Sequence, residues 1–244
     1  MHRTALAAFE HVGQEALTLA PLMRAGLDEV RRRVEVCEGR EALEAALAEG
    51  GGAVLVSGHF GNWEFAGSVV AAFGFPIEAV MQRLKNHRLS GYVEEMRRRL
   101  GMGLIDRVGA LDRSLERLAQ GRVVAFVADQ DARSRGVFVP FFGRLASTHG
   151  APAALALRAN APFFVGGAYR IGPRRYHFWL IRLWPREGVG VREQALDLTR
   201  QWVSELERRV RLFPEQYFWH HRRWKTPPPG TGERAPGIKL DTND

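Results

Sequence analysis

Two side chains suited to proton transfer stand five positions apart in "LVSGHFGNWEFAG" (55–67): His59, directly after a short apolar run, and Glu64. An imidazole is the side chain best matched to taking a proton from a hydroxyl near neutral pH. A carboxylate bonded to its far nitrogen fixes the tautomer and stabilises the imidazolium that forms. If the run is a strand and a helix opens near Gly61 or Asn62, Glu64 falls in the first helical turn and can fold back toward the ring. That helix N-terminus also offers backbone donors for a developing oxyanion, with Asn62 a candidate substrate contact. Gly58 and Gly61 permit a tight turn and close approach of a ligand. The spacing alone fits equally well a helix-capping histidine and an ordinary first-turn acid.

Positioning such a pair needs strands that end beside helices, and the chain alternates the two. "GAVLVSG" (52–58) has strand length and "NWEFAGSVVAAFG" carries helical spacing behind it. Strands follow near 77–81 and 103–106, helices near 87–100 and 110–120, and "RVVAFVAD" (122–129) reads as a buried strand ending in an acid. "GVFVPFFG" contains Pro140 and belongs to an edge or a loop. A helix near 149–159 leads to two strands joined by "IGPRR", then to a long amphipathic helix carrying Leu198, Trp202, Leu206 and Val210 on one side. This alternation predicts a single α/β domain, a central mixed and mostly parallel sheet flanked by helices. Ligands gather at the carboxyl ends of such strands, where both His59 and "ADQD" (128–131) fall.

Upstream, Phe9, Val12, Ala16, Leu19, Met23, Leu27, Val30 and Val34 recur at helical steps over 3–34, with Pro21 expected to kink the helix. "REALEAALAEGGG" is a second helix stopped by glycines. Residues 1–50 are therefore read as helices packing on the core or on a membrane, 51–226 as the α/β core and 227–244 as a disordered tail.

The 244 residues are enough for a core that needs no disulfide or metal. The lone cysteine, Cys37, rules out an internal disulfide and a cysteine-rich metal site. A formal charge of +8 favours anionic partners without choosing among them. No helix-turn-helix, zinc-finger or ribonucleoprotein motif supports nucleic-acid binding. No signal peptide is apparent, and no apolar stretch reaches the roughly 18–20 residues of a spanning helix.

The His59 block resembles the His-x4-Glu motif of the bacterial lipid A late acyltransferases, within the wider glycerolipid acyltransferase superfamily. "RLKNHRL" (83–89) resembles that family's arginine-plus-asparagine block, "ADQDARSRGVFVPFFGRLAST" (128–148) its third, and "PEQYFWHHRRWKT" (214–226) its C-terminal signature. The blocks stand in order from about residue 9 to 226. The resemblance implies acyl transfer from a thioester, on acyl carrier protein or coenzyme A, to a hydroxyl of a membrane glycolipid such as a lipid A precursor. It makes His59 the general base and Glu64 its orienting carboxylate, with no acyl-enzyme, cofactor or metal. Two departures stand out. Ala128 replaces an expected proline, and the spanning helix with which family members commonly begin is not apparent, so attachment is expected to be peripheral, at the cytoplasmic face of the inner membrane, through an apolar helix face and basic residues. Relatives that acylate mannosides of phosphatidylinositol more often carry Asp at the position of Glu64, which leans toward the lipid A-like branch.

Other candidates for substrate contact are Arg83, Asn86, Gln130 and Arg222. Arg83 and Asn86 suit phosphate or sugar groups, or are ordinary surface polarity. Asp129 and Asp131 are read as structural supports, and the role of Gln130 stays open. "WHHRRWK" fits an anionic membrane interface, or tryptophans packed in the core beneath solvated arginines. His220 and His221 are adjacent and should point in different directions, which argues against a shared metal.

Overall fold

The computed structural model describes residues 2–230. Two helices, α1 (His2–Ala25) and α2 (Leu27–Arg33), lead through strand β1 (Val34–Glu38) and α3 (Arg40–Ala48) to β2 (Ala53–Ser57). The chain then alternates: α4 (Trp63–Ala72), β3 (Ile77–Met81), α5 (His87–Arg99), β4 (Met102–Asp106), α6 (Ala110–Ala119) and β5 (Val123–Val127). A small hairpin, β6 (Val137–Phe141) and β7 (Arg144–Thr148), precedes α7 (Ala151–Ala159). Strands β8 (Phe163–Gly172) and β9 (Arg175–Leu183) and the long helix α8 (Val191–Leu212) follow.

Seven strands form one sheet in the order β1-β9-β8-β2-β5-β3-β4. Every pairing is parallel except β8 with β9, which the short turn at 173–174 makes antiparallel. The expected mixed, mostly parallel sheet is therefore the observed one. Because β2 is central, it is buried on both faces and reads as a continuous apolar run. Val54 and Val56 join the core beneath α6, α7 and α8, while Ala53 and Leu55 join the core beneath α2 to α5. The single apolar segment thus holds both layers together.

The N-terminal region differs from its expected form in three ways. The helix breaks at Gly26, whose φ of 78° only glycine adopts readily, and Pro21 lies inside α1 without ending it. The face of α1 turned inward matches the apolar stripe only in part: Leu19 and Met23 pack against the core, but Phe9 is exposed and Ala8, His11, Glu15 and Leu22 are buried. Residues 34–38, of which only Val34 falls in an expected helix and the rest in no expected element, form edge strand β1 paired with β9. Of the segment read as a tail, 227–230 are irregular and 231–244 lie outside the described residues.

The polar residues on the inner face of α1 have a physical reason. Glu15 accepts from Arg170 Nε at 2.6 Å, from the Tyr176 hydroxyl at 2.7 Å and from Asn62 Nδ2 at 2.5 Å. His11 Nε2 reaches the carbonyl of Gly61 at 3.2 Å. A buried carboxylate is tolerable only when such bonds replace its lost hydration. Burial and the Glu15 charge push the Tyr176 hydroxyl well above its ordinary value, so it stays protonated and donates to the carboxylate. Glu15→Ala, which strands the Arg170 charge, is expected to lower unfolding free energy by about 3–5 kcal/mol in urea titration. Leu17→Ala, at an exposed position two residues on, should change it by no more than about 0.5 kcal/mol.

Candidate active site

His59 and Asp129 are brought together by strand register. β2 and β5 are parallel neighbours with Ser57 opposite Val127, and each functional residue lies two positions beyond its strand. His59 Nδ1 stands 2.6 Å from Asp129 Oδ1, and the backbone N–H of His59 donates to Asp129 Oδ2 at 2.8 Å. The carboxylate therefore takes the Nδ1 proton as a hydrogen bond and leaves the lone pair on Nε2, the form of a general base. Asp129 is 1% exposed. Burial alone would raise its pKa, but the charge and hydrogen bonds of His59, with a further contribution from Arg223, bring it down to about 2.

The turn between β2 and α4 has no spare room. A side chain on Gly58 would collide with Leu206 and press on Asp129. Gly61 has φ 60°, and a Cβ there would lie 2.0 Å from the carbonyl oxygen of Ala168. Asn62 caps α4 by accepting from the N–H of Phe65 at 2.8 Å. The amides of Trp63 and Glu64, at the start of the helix, have no carbonyl four residues back to meet, and so form the open donor end of the helix. The C-terminal segment closes over this turn: Phe218 donates its N–H to the carbonyl of His59 at 2.9 Å, and Gln216 accepts from the N–H of Gly61 at 2.8 Å.

The expected partner of His59 requires correction. Glu64 does lie in the first turn of α4, but its carboxylate is held by Arg97 of α5, from Nε at 2.8 Å and Nη2 at 2.6 Å. Burial works against the Arg97 charge and Glu64 outweighs it, so the guanidinium is held above its ordinary value. A bidentate pair of this geometry leaves Glu64 turned toward Arg97 rather than His59. The acid that meets the imidazole is Asp129, read from sequence as a support. Glu64 was favoured because it is near in sequence; the signal for Asp129 was the matching two-residue offset of "GH" and "AD" from two apolar runs.

The other candidates divide. Asn62 is 2% exposed and spent on Phe65 and Glu15, so it positions the turn instead of touching substrate. Gln130 faces the site, with its Nε2 at 3.3 Å from Nε2 of His221. Arg83 and Asn86 lie in an exposed stretch; Arg83 stands 3.6 Å from Asp106 and 3.8 Å from Glu94, and Asn86 caps α5 through the N–H groups of Arg88 and Leu89. Arg222 is exposed, whereas its neighbour Arg223 is 2% exposed, donates to the Ser147 carbonyl at 2.7 Å and also bonds the Thr148 hydroxyl. Burial pushes the Arg223 pKa down. The phenol of Tyr217 is buried facing Asp129, which with desolvation holds it well above its ordinary value. Trp219 and Trp224 pack against the core, as the second reading of that segment has them, but of its two arginines only Arg222 is solvated. Among the described residues no cluster of three or more metal-binding side chains occurs.

A narrow apolar cleft runs between α4 and the sheet, separated from His59 by Trp63, whose ring lies 4.8 Å from the imidazole. Trp63, Glu64 and Arg97 stand among its walls with Leu55, Gly67, Met102 and Phe178. Helix α4 contributes Ala66 and Gly67 to the walls and β3 contributes Ile77, while β6 packs elsewhere, with α8. An imidazole–carboxylate pair at the carboxyl ends of parallel strands, close to an apolar cleft, is an arrangement suited to proton transfer near a hydrophobic substrate. The chain belongs to the bacterial lipid A biosynthesis acyltransferase family, whose model matches residues 3–226, and is an acyltransferase.

Its relatives are of two kinds. A phosphatidylinositol mannoside acyltransferase of Mycolicibacterium smegmatis is 28% identical over 237 residues, covering 86% of this chain and 75% of that protein. One of Mycobacterium tuberculosis H37Rv is 35% identical over 135 residues, 54% of this chain and 43% of the relative. The lipid A biosynthesis palmitoleoyltransferase of Escherichia coli K12 is 28% identical over 204 residues, 82% of this chain and 64% of that enzyme. The chain thus spans less than two thirds of the last two.

Asp129→Asn should retain the fold and lower acyl-transfer turnover about a thousandfold or more, since an amide cannot hold the imidazole proton on Nδ1. The depressed Asp129 pKa also fixes a stability sign. Its contribution, about 2 kcal/mol, is present above the unfolded value near 3.8 and lost as pH falls toward 2. The stability gap between wild type and Asp129→Asn, measured by urea titration, should therefore shrink as pH falls across that window.

Proposed function

We propose that this acyltransferase moves a fatty acyl chain from an acyl thioester, carried on acyl carrier protein or coenzyme A, to a hydroxyl of a membrane glycolipid, using His59 as general base oriented by Asp129. The observation that carries this reading is the 2.6 Å bond between His59 Nδ1 and Asp129 Oδ1, with Trp63 joining the imidazole to the apolar cleft. His59 Nε2 takes the proton of the acceptor hydroxyl as its oxygen attacks the thioester carbonyl. The open amides of α4 face the developing oxyanion, helped by the positive end of the helix. Arg97, with N–H groups to spare beyond those given to Glu64, sits where a polar head enters the cleft. The acyl chain lies against α4 within the cleft. The tetrahedral intermediate then expels the thiol, with no covalent enzyme intermediate and no metal.

The acceptor is a glycolipid of the lipid A or phosphatidylinositol mannoside type, the two kinds that the relatives' names describe. Membrane attachment is peripheral, at the cytoplasmic leaflet. Among the described residues no helix is long and apolar enough to cross a membrane. Attachment is supported by the exposed Leu6, Phe9 and Leu17 of α1, and by Leu84, Leu89 and Tyr92 beside Lys85 and Arg88.

The test is acceptor-dependent transfer from matched acyl carrier protein and coenzyme A thioesters to a panel of lipid A precursors, phosphatidylinositol mannosides and lysophospholipids. Wild type should transfer to a glycolipid of the panel. His59→Ala should lose about a thousandfold in kcat while keeping its circular dichroism and melting profile. Equal turnover by the two proteins would refute the base assignment, and transfer confined to lysophospholipids would refute the glycolipid one.

A further inference from the structure

A second imidazole shares the site, and the chemistry above leaves it unused. The ring of His221 lies 4.5 Å from that of His59, centroid to centroid, at 53°. Its neighbour His220 turns away and packs on Phe9 of α1 at 4.1 Å. Phe218 covers His221 at 4.7 Å. Nε2 of His221 stands 3.3 Å from Nε2 of Gln130, the residue directly after Asp129. An amide nitrogen has hydrogens and no available lone pair, so Gln130 donates and His221 Nε2 accepts. The ring proton of His221 therefore resides on Nδ1. Burial, and then the nearby His59, lower the basicity of His221, which keeps it a neutral donor.

Acyl transfer from a thioester needs donors at two atoms, the carbonyl oxygen and the departing sulfur. The oxygen has the first-turn amides of α4. Among the groups assigned so far the sulfur has only His59, whose proton reaches it as the C–S bond breaks; a second donor would share the charge meanwhile. We propose that His221 is a further catalytic residue, whose Nδ1–H donates a hydrogen bond to the leaving sulfur, with Gln130 as the positioning residue that sets its tautomer. This assignment rests on the acyl-transfer reading of the site. In the step, the acceptor O–H bond breaks to His59 Nε2 and the new C–O bond forms. The C–S bond then breaks, its electron pair passes to sulfur, and His59 returns the proton there. His221 keeps its own proton throughout and lowers the charge that sulfur bears as the bond breaks.

The test uses two donors of one acyl chain and one acceptor: an alkyl thioester, acyl-coenzyme A, and an aryl thioester of thiophenol, whose far more acidic thiol leaves without help. His221→Ala should lower kcat/KM with the alkyl donor roughly ten- to hundredfold, the scale of one hydrogen bond to a charged group, and with the aryl donor by no more than about twofold. His221→Asn, whose amide N–H takes the place of Nδ1–H, should recover most of the alkyl rate. Gln130→Ala should show the same donor-dependent loss, smaller in size. Equal losses with both donors in a folded His221→Ala protein would overturn the assignment, since a structural defect is blind to the leaving group. A failed recovery by His221→Asn would also count against it. Wild type inert to both donors across the acceptor panel would instead overturn the acyl-transfer reading, and this assignment with it.

Discussion

The register between β2 and β5 is the constraint on which this site depends. Two parallel strands of equal length, paired from Ala53 with Val123 to Ser57 with Val127, end level with one another. The residues two positions beyond them meet as His59 and Asp129, 70 residues apart in the chain. A parallel sheet is demanding of register because its central strands are buried on both faces, so a slip would expose apolar side chains in both layers at once. The same burial that fixes the register removes Asp129 from water. A carboxylate so placed keeps its charge only through the bonds that also orient the imidazole. Packing and chemistry are thus one arrangement.

The turn beyond β2 is fixed from three directions. Glu15 and His11 hold it from α1, through Asn62 and Gly61. Bridges to Ala168 and Tyr217 hold it from β8 and from the C-terminal segment. Gln216 ties these together, bonding Gly61 through its carbonyl and both backbone groups of Arg170 through its side chain. Residues from near the start, the middle and the end of the chain therefore set the position of one imidazole. Such bracing is what a general base requires, because a displacement of about 1 Å at the reacting atoms costs orders of magnitude in rate.

Much of this was legible in the sequence, for reasons that also mark where it was not. The alternation of apolar runs and amphipathic segments gave the sheet and its helices nearly residue for residue, as at β3, since two-sided burial leaves continuous runs such as "AVLVS" and "VVAFV". Strand β1 escaped because an edge strand of "VEVCE" is almost wholly exposed and carries no buried pattern. The inner face of α1 was legible only in part because it also buries His11 and Glu15, which periodicity in apolar residues does not mark. His59 was legible from its type and its place after a strand. Its partner was not, since local spacing favours Glu64 and only the strand register brings Asp129 to it.

The placing of charge completes the argument. The carboxylates in and under the site each face a cation or an imidazole: Glu64 with Arg97, Glu15 with Arg170, Asp129 with His59. Two further cations are bonded through neutral groups. Arg107 bonds the neutral Gln82, and Arg223 bonds the Ser147 carbonyl and the Thr148 hydroxyl while remaining close enough to Asp129 to stabilise its charge. Burial and Arg107 push the His149 pKa down, so that imidazole stays neutral beside them. The charges set about the imidazole are thus each met by an opposite charge or by neutral hydrogen-bonding groups, which is what lets carboxylates stay ionised in a site largely removed from water.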